Sequence, residues 1–232
     1  EGLNGFREFP GQWAIDWRLF FEFERKLDDP ANLGPQRIQP AYKIDSSLVN
    51  PLAFLPEFSQ PGAGGDLAMD KDGHPLPKAG EISNLALRNL LRGLNMGLPS
   101  GQSVARHMSI DPIPDKDLRV GKANVDGLTS NKGILDFGDS FKDNAPLWFY
   151  VLAEAQHEWA KAAKAKPGTD DAKNAIHVRL GPVGGRIVAE VLVGLLLGDS
   201  FSFLSQWPTW KPWFTDKGRF GMAELIKASG LA

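Results

Sequence analysis

Hydrophobic positions at helical spacing dominate one segment in the middle of the chain. Four leucines recur there at intervals of three or four residues: Leu87, Leu91, Leu94 and Leu98. This spacing predicts an amphipathic helix whose apolar stripe packs on a core. Ser83 is the predicted N-cap, because its hydroxyl can accept a hydrogen bond from an amide of the first turn. Gly97 with Pro99 behind it predicts the end of the helix, since glycine tolerates the left-handed cap and proline cannot continue the helix.

A second apolar segment, residues 180–197, has a different pattern. Its hydrophobic residues lie around almost the whole circumference of a helix, which predicts a helix in the middle of a large domain. Arg186 and Glu190 are four residues apart inside it and can pair. With these charges and several glycines, an 18-residue segment is a poor transmembrane candidate. No transmembrane segment is therefore predicted.

Cap and breaker residues predict the other helices. Short helices are expected near residues 47–52, after Asp45 or Ser46, and near residues 100–108, after Ser100 or Ser103. A long helix is expected from Pro146, as a first-turn proline, to about residue 166. Others begin near residue 14 and span about 221–228. No convincing strand is present. The predicted fold class is mainly α, one large helical domain over residues 1–232 with long Pro/Gly-rich loops.

Composition narrows the possible functions. With 42% hydrophobic residues the chain can bury a core, and its 17 prolines and 25 glycines predict long loops. A net charge of −2 gives no electrostatic reason to expect nucleic acid or an anionic membrane as partner. No cysteine is present, which excludes disulfides, thiolate catalysis and thiolate ligation of haem or zinc. The N-terminus lacks signal-peptide features, so the localisation, cytoplasmic or secreted, stays open.

The candidate functional residues lie on the leucine-rich helix. Asn89 and Arg92 are three residues apart, so they share an edge that could face a polar cavity. Taken alone, the two side chains fit a solvated helix surface equally well. However, the run from Leu85 to Pro99 resembles the signature helix of the animal-type haem peroxidases, the peroxidase–cyclooxygenase superfamily. The resemblance implies that Asn89 accepts a hydrogen bond from the iron-ligating histidine and that Arg92 pairs with a haem propionate.

Three other segments, residues 5–17, 42–52 and 180–190, resemble the bacterial branch of the same family. Together with the signature helix they follow the family's order through most of the chain. One departure concerns the helix end, where animal members usually read Arg-Asp-His-Gly and this chain has Leu94-Asn95-Met96-Gly97. Any role of that acid or histidine therefore does not transfer to this chain.

None of the histidines lies where the resemblance places the iron ligand. The family motif has the form His-Ser/Thr-x-x-Arg-Pro, and no histidine of the chain stands in such a motif: His74, His107, His157 and His177. No pair of them has metal-ligand spacing. The chain is therefore interpreted as the C-terminal portion of a peroxidase-like protein, with the iron ligand expected outside it. The expected partners are the N-terminal segment or a companion chain, a small-molecule substrate and peroxide.

Three functions are compatible with these observations. The resemblance implies a haem-dependent peroxidase, in which this chain supplies the proximal hydrogen bond and the propionate anchor. A non-catalytic helical scaffold or partner-binding fragment without haem is the first alternative. A haem-dependent fatty-acid dioxygenase is the second, and it needs a radical tyrosine near the haem. Only Tyr42 and Tyr150 are available, and neither matches a radical position of the family.

Overall fold

A computed structural model describes residues 17, 21, 44–48, 50–122, 130–165, 179–215, 218 and 220–230. The predicted helix near residue 14 lies outside them. In the described part the helices are α1 (Asn50–Ala53), α2 (Leu85–Asn95), α3 (Gly101–His107), α4 (Leu147–Ala165), α5 (Pro182–Gly198), α6 (Phe203–Gln206) and α7 (Met222–Ala228). The mainly α class is thereby confirmed. The chain divides into two compact units: one consists of residues 42–195, and the other of residues 1–41 together with residues 196–232.

Extended structure is confined to short pieces of the described chain. The strands β1 (Arg119–Val120) and β2 (Lys132–Gly133) pair antiparallel, so the prediction that no strand forms was wrong for this pair. Isolated antiparallel bridges also join residues 59 with 77, 61 with 67, and 69 with 75. They organise the Gly/Pro-rich segment before α2 into a hydrogen-bonded arm. Periodicity missed both features because their strands are too short to show alternation.

The ends of α2 show how local signals set a helix. Asn84, not Ser83, is the N-cap: its backbone is extended and its side chain accepts from the amide of Leu87. The Ser83 carbonyl instead accepts from the amide of Leu55. At the other end Gly97 has a φ of 64°, and the carbonyl of Gly93 accepts from the amide of Leu98 at 3.0 Å. This Schellman arrangement confirms the predicted stop.

The core of the larger unit lies mainly between α3 and α4. Tyr150 of α4 is fully buried, and its phenol oxygen accepts from the amide of Ile113 at 3.0 Å. Gln102 of α3 is also buried, but both ends of its amide are bonded, to the Asp115 carboxylate and to the amide of Ala145. Buried polar groups are tolerated when they are paired in this way. Hydrophobic residues complete the cluster: Ala105, Ile113, Leu118, Ile134, Ala145, Ala153 and Val183.

Several predicted helix details were confirmed or corrected. Ser100 caps α3 by accepting from the amide of Ser103, as one of the two predictions had it. The helix expected near residues 47–52 is the short helix Asn50–Ala53, and Asp45 forms a local turn by accepting from the amide of Ser47. Pro146 precedes α4, which begins at residue 147, rather than lying in its first turn. The C-terminal helix α7 lies within its predicted range.

Two predicted apolar faces are not buried. The leucine stripe of α2 is largely exposed, with Leu94 at 75%, and no residue of this helix is fully buried. Helix α5 buries only Val183 and Gly184 near its start, while Val191 is 56% exposed. The prediction that α5 lies in the middle of the domain was therefore wrong for this chain. Its Arg186–Glu190 pair is confirmed, with 2.6 Å between Nε and Oε1. No described helix is both long and apolar enough to cross a membrane.

These exposures reverse the expected cost of a charge in α5. The hydrophobic pattern predicts that Val191→Asp prevents folding, but at an exposed position we expect a cost below about 1 kcal/mol. Val183→Asp is the matched control, because Val183 is fully buried and an unpaired carboxylate there should cost several kcal/mol. Urea unfolding of the two variants measures the difference. Equal loss of stability in both would contradict the exposed placement of α5.

Candidate functional site

The candidate residues of α2 have different surroundings. Asn89 is half-buried, and its side chain makes no hydrogen bond within the described part of the chain. Arg92 is exposed and lines a cavity of about 400 Å³ beside the helix, whereas Asn89 is not among the lining residues. The structure therefore keeps both residues on one helix but brings only Arg92 into this cavity.

The cavity lies between α2 and the turn that precedes it. Helix α2 contributes positions separated by three or four residues, namely Arg88, Leu91, Arg92 and Asn95, and Met96 follows them. Gly80, Glu81 and Ile82 line the cavity from the turn. Sequence reasoning missed Arg88 and Asn95, although the spacing of residues 88, 92 and 95 places them on one face. That spacing was the available signal.

Contacts hold Arg88 in place at the edge of this cavity. Its Nη1 donates to the carbonyl of Ile82 at 3.2 Å and lies 3.9 Å from a carboxylate oxygen of Glu81. Its guanidinium also lies 3.8 Å from the ring centroid of Phe58, a cation–π contact. Arg92 has no such partner in the described part of the chain. The two arginines therefore differ: one is tied to the protein and the other is available to a ligand.

The described histidines form no metal site. His74 stacks on Phe54 with 4.9 Å between ring centroids, and its Nδ1 lies 3.7 Å from Asp70. His107 ends α3, His157 lies on α4, and His177 lies outside the described residues. Among the described residues no group of histidine, aspartate and glutamate is placed to hold a metal ion.

A buried carboxylate joins α4 to α5. Both oxygens of Glu154 accept from the amide of Val183, at 3.0 and 3.1 Å, and one accepts from Gly184 at 3.0 Å. These amides belong to the first turn of α5, where a negative charge is favourable. Burial raises the pKa of Glu154 above its usual range, although the two amides act in the opposite direction. Sequence reasoning missed this contact, because the partners are 29 and 30 residues apart.

Of the two tyrosines weighed for radical chemistry, Tyr42 lies outside the described residues. Tyr150 is fully buried in the core, where burial raises the pKa of its phenol. Its ring lies against Gly101, and its oxygen accepts from a backbone amide. These contacts give Tyr150 a packing role in this chain.

In comparisons with known proteins, no family model, curated protein or solved structure matches the chain.

Proposed function

We propose that this chain is part of a haem-dependent peroxidase, with Asn89 and Arg92 on the side of the haem where a histidine binds the iron. The main support is the availability of both side chains on one edge of α2. The side-chain amide of Asn89 makes no hydrogen bond within the described residues, and the side chain of Arg92 has neither a hydrogen bond nor an ion pair there. The residue pattern around them, including the stop at Gly97, resembles the signature helix of the animal-type haem peroxidases.

These side chains fit two parts of a haem site. The oxygen of Asn89 would accept a hydrogen bond from the free ring N–H of the iron-ligating histidine and so fix its tautomer and orientation. The guanidinium of Arg92 would anchor a propionate through charge-assisted hydrogen bonds. Bound haem supplies the iron at which peroxide is reduced. The iron ligand and the base that accepts the peroxide proton are proposed to lie on another segment or a companion chain.

Exposed apolar surface supports the proposal of such a companion. Val191, Leu192 and Leu195 of α5 are 56%, 57% and 67% exposed, and large exposed apolar patches usually mark interaction surfaces. The same observation favours a second candidate function, a helical partner-binding fragment without haem. The two candidates differ in one measurable property, because only the peroxidase binds haem with a Soret absorption band.

Mutations on α2 test the haem assignment in the full-length gene product. Asn89→Ala should cost about 1 kcal/mol of stability or less. It should change haem affinity or peroxidase turnover roughly 10- to 100-fold, because the residue orients the iron ligand. Arg92→Ala should weaken haem retention by removing the propionate anchor. The measurements are Soret titration and turnover with peroxide.

Lys161→Ala is the control, since Lys161 is an exposed cation on α4 and lies outside the cavity. Its spectrum and turnover should equal those of the unmodified protein. Unchanged spectra and turnover in both α2 variants would rule out the haem assignment of this helix.

A further inference from the structure

The cavity beside α2 carries an uncompensated positive charge. Two guanidinium groups, Arg88 and Arg92, and one carboxylate, Glu81, line it. The carboxylate lies near Arg88, which also donates to a carbonyl and stacks on an aromatic ring. Arg92 is therefore the cation that a ligand can neutralise. A net charge of one favours a monoanion, and Glu81 would repel an anion of higher charge.

The donors at the cavity fit a carboxylate. A guanidinium presents two parallel N–H groups in the geometry that a carboxylate accepts. Asn95 is three residues after Arg92, so its amide lies on the same edge of α2 and can add a further donor. Arg88 is less available than Arg92, because it is already engaged by the Ile82 carbonyl and the Phe58 ring.

The remaining walls are apolar. Ile82, Leu91 and Met96 line the cavity together with the polar groups. Its volume of about 400 Å³ lies at the small end of the range for small-molecule sites. A methionine thioether makes favourable contacts with aromatic rings. The lining of this open depression thus combines one available cation, Arg92, with three apolar side chains.

We propose that this cavity binds a small arylalkanoate, with the carboxylate on Arg92 and Asn95 and the ring against Ile82, Leu91 and Met96. The ligand differs from haem in size and in needing no iron ligand. The inference therefore goes beyond the proposed function and does not depend on it. Haem, if it binds, would compete for Arg92 through its propionate.

Calorimetric titration of the 232-residue chain with 3-phenylpropionate tests the inference. Binding is expected with a Kd of roughly 1 mM or tighter, as suits a ligand of this size. The neutral 3-phenylpropan-1-ol and inorganic phosphate should each bind at least about 10-fold more weakly, because one lacks the charge and the other lacks the apolar body.

Variants locate the site. Arg92→Gln should weaken 3-phenylpropionate binding about 10-fold or more, whereas Lys161→Gln, outside the cavity, should leave the Kd unchanged. Circular dichroism checks that both variants stay folded. Absence of binding, equal binding of the acid and the alcohol, phosphate binding as tight as the acid, or full binding by Arg92→Gln would each overturn the inference. Because no step uses haem, these outcomes are separate from those of the Soret titration.

Discussion

Gly101→Ala should destabilise the protein by about 3 kcal/mol or more, because the new methyl group has no room. A Cβ at Gly101 would lie 1.9 Å from Cγ and 2.2 Å from Cβ of Tyr150, far inside any real contact distance. Tyr150 is fully buried, and its Cβ is fixed by the backbone, so a rotamer change cannot move that atom away. Relief requires α3 to move from α4, which would break the bond from the Gly101 amide to the Ala145 carbonyl.

Urea unfolding measures this cost, and two comparisons make it specific. Gly93→Ala in α2 is the control, because its Cβ would meet only Leu98 at an ordinary 3.6 Å. There alanine should stabilise the helix by about 0.5–1 kcal/mol. Tyr150→Gly, which removes both the Cβ and the Cγ that the new methyl group meets, should remove most of the penalty of Gly101→Ala in the double variant. The same penalty in both backgrounds would show that the steric explanation is wrong.

Glu154→Ala should cost about 3 kcal/mol, because it leaves the buried amides of Val183 and Gly184 without their acceptor. The helix start of α5 would also lose its nearby negative charge. Glu154→Gln should be far milder, since one amide oxygen can still accept from both backbone groups. Thermal or urea unfolding at neutral pH ranks the variants. If Glu154→Ala were as stable as Glu154→Gln, the carboxylate contacts would not stabilise the α4–α5 junction.

The Glu154 carboxylate also predicts that the stability of the protein depends on pH. Burial raises the pKa of Glu154; Glu158 acts in the same direction, while the backbone amides and His157 oppose it. The folded state therefore holds the proton more tightly than the unfolded chain does. Stability from this group is present below the pKa of an unfolded glutamate and is lost as pH rises through the higher folded value. Between acid and neutral pH, Glu154→Gln should gain stability relative to the unmodified protein. A constant difference across this range would contradict the raised pKa.

The hydrophobic pattern and the structure disagree on where the apolar helix α5 lies. Periodicity correctly predicted that residues 180–197 form a helix, and α5 covers nearly that range. It wrongly predicted that the helix is central, since Val191 is 56% exposed. Periodicity shows which face of a helix is hydrophobic, but it carries no information about which element, if any, covers that face. A hydrophobic face becomes a core only when another element lies against it.

The candidate site shows the same division. The spacing of Asn89 and Arg92 placed them on one helix edge, and a helix does cover both. Arg92 lines the cavity and Asn89 does not, because the cavity is lined on its other side by the turn at Gly80–Ile82, which lies outside the helix. The immobilisation of Arg88 likewise required Phe58, 30 residues earlier, so no local pattern could indicate it.

The sequence by itself determined the features that depend on residues only a few positions apart. Ser100 begins α3 and Gly97 ends α2 because capping bonds join residues only a few positions apart. The tertiary structure alone decided that Glu154 caps a distant helix, that Gly101 faces Tyr150, and which arginine of α2 stays available. Those outcomes depend on contacts between residues far apart in the chain, whose formation is governed by how the elements pack rather than by local propensity.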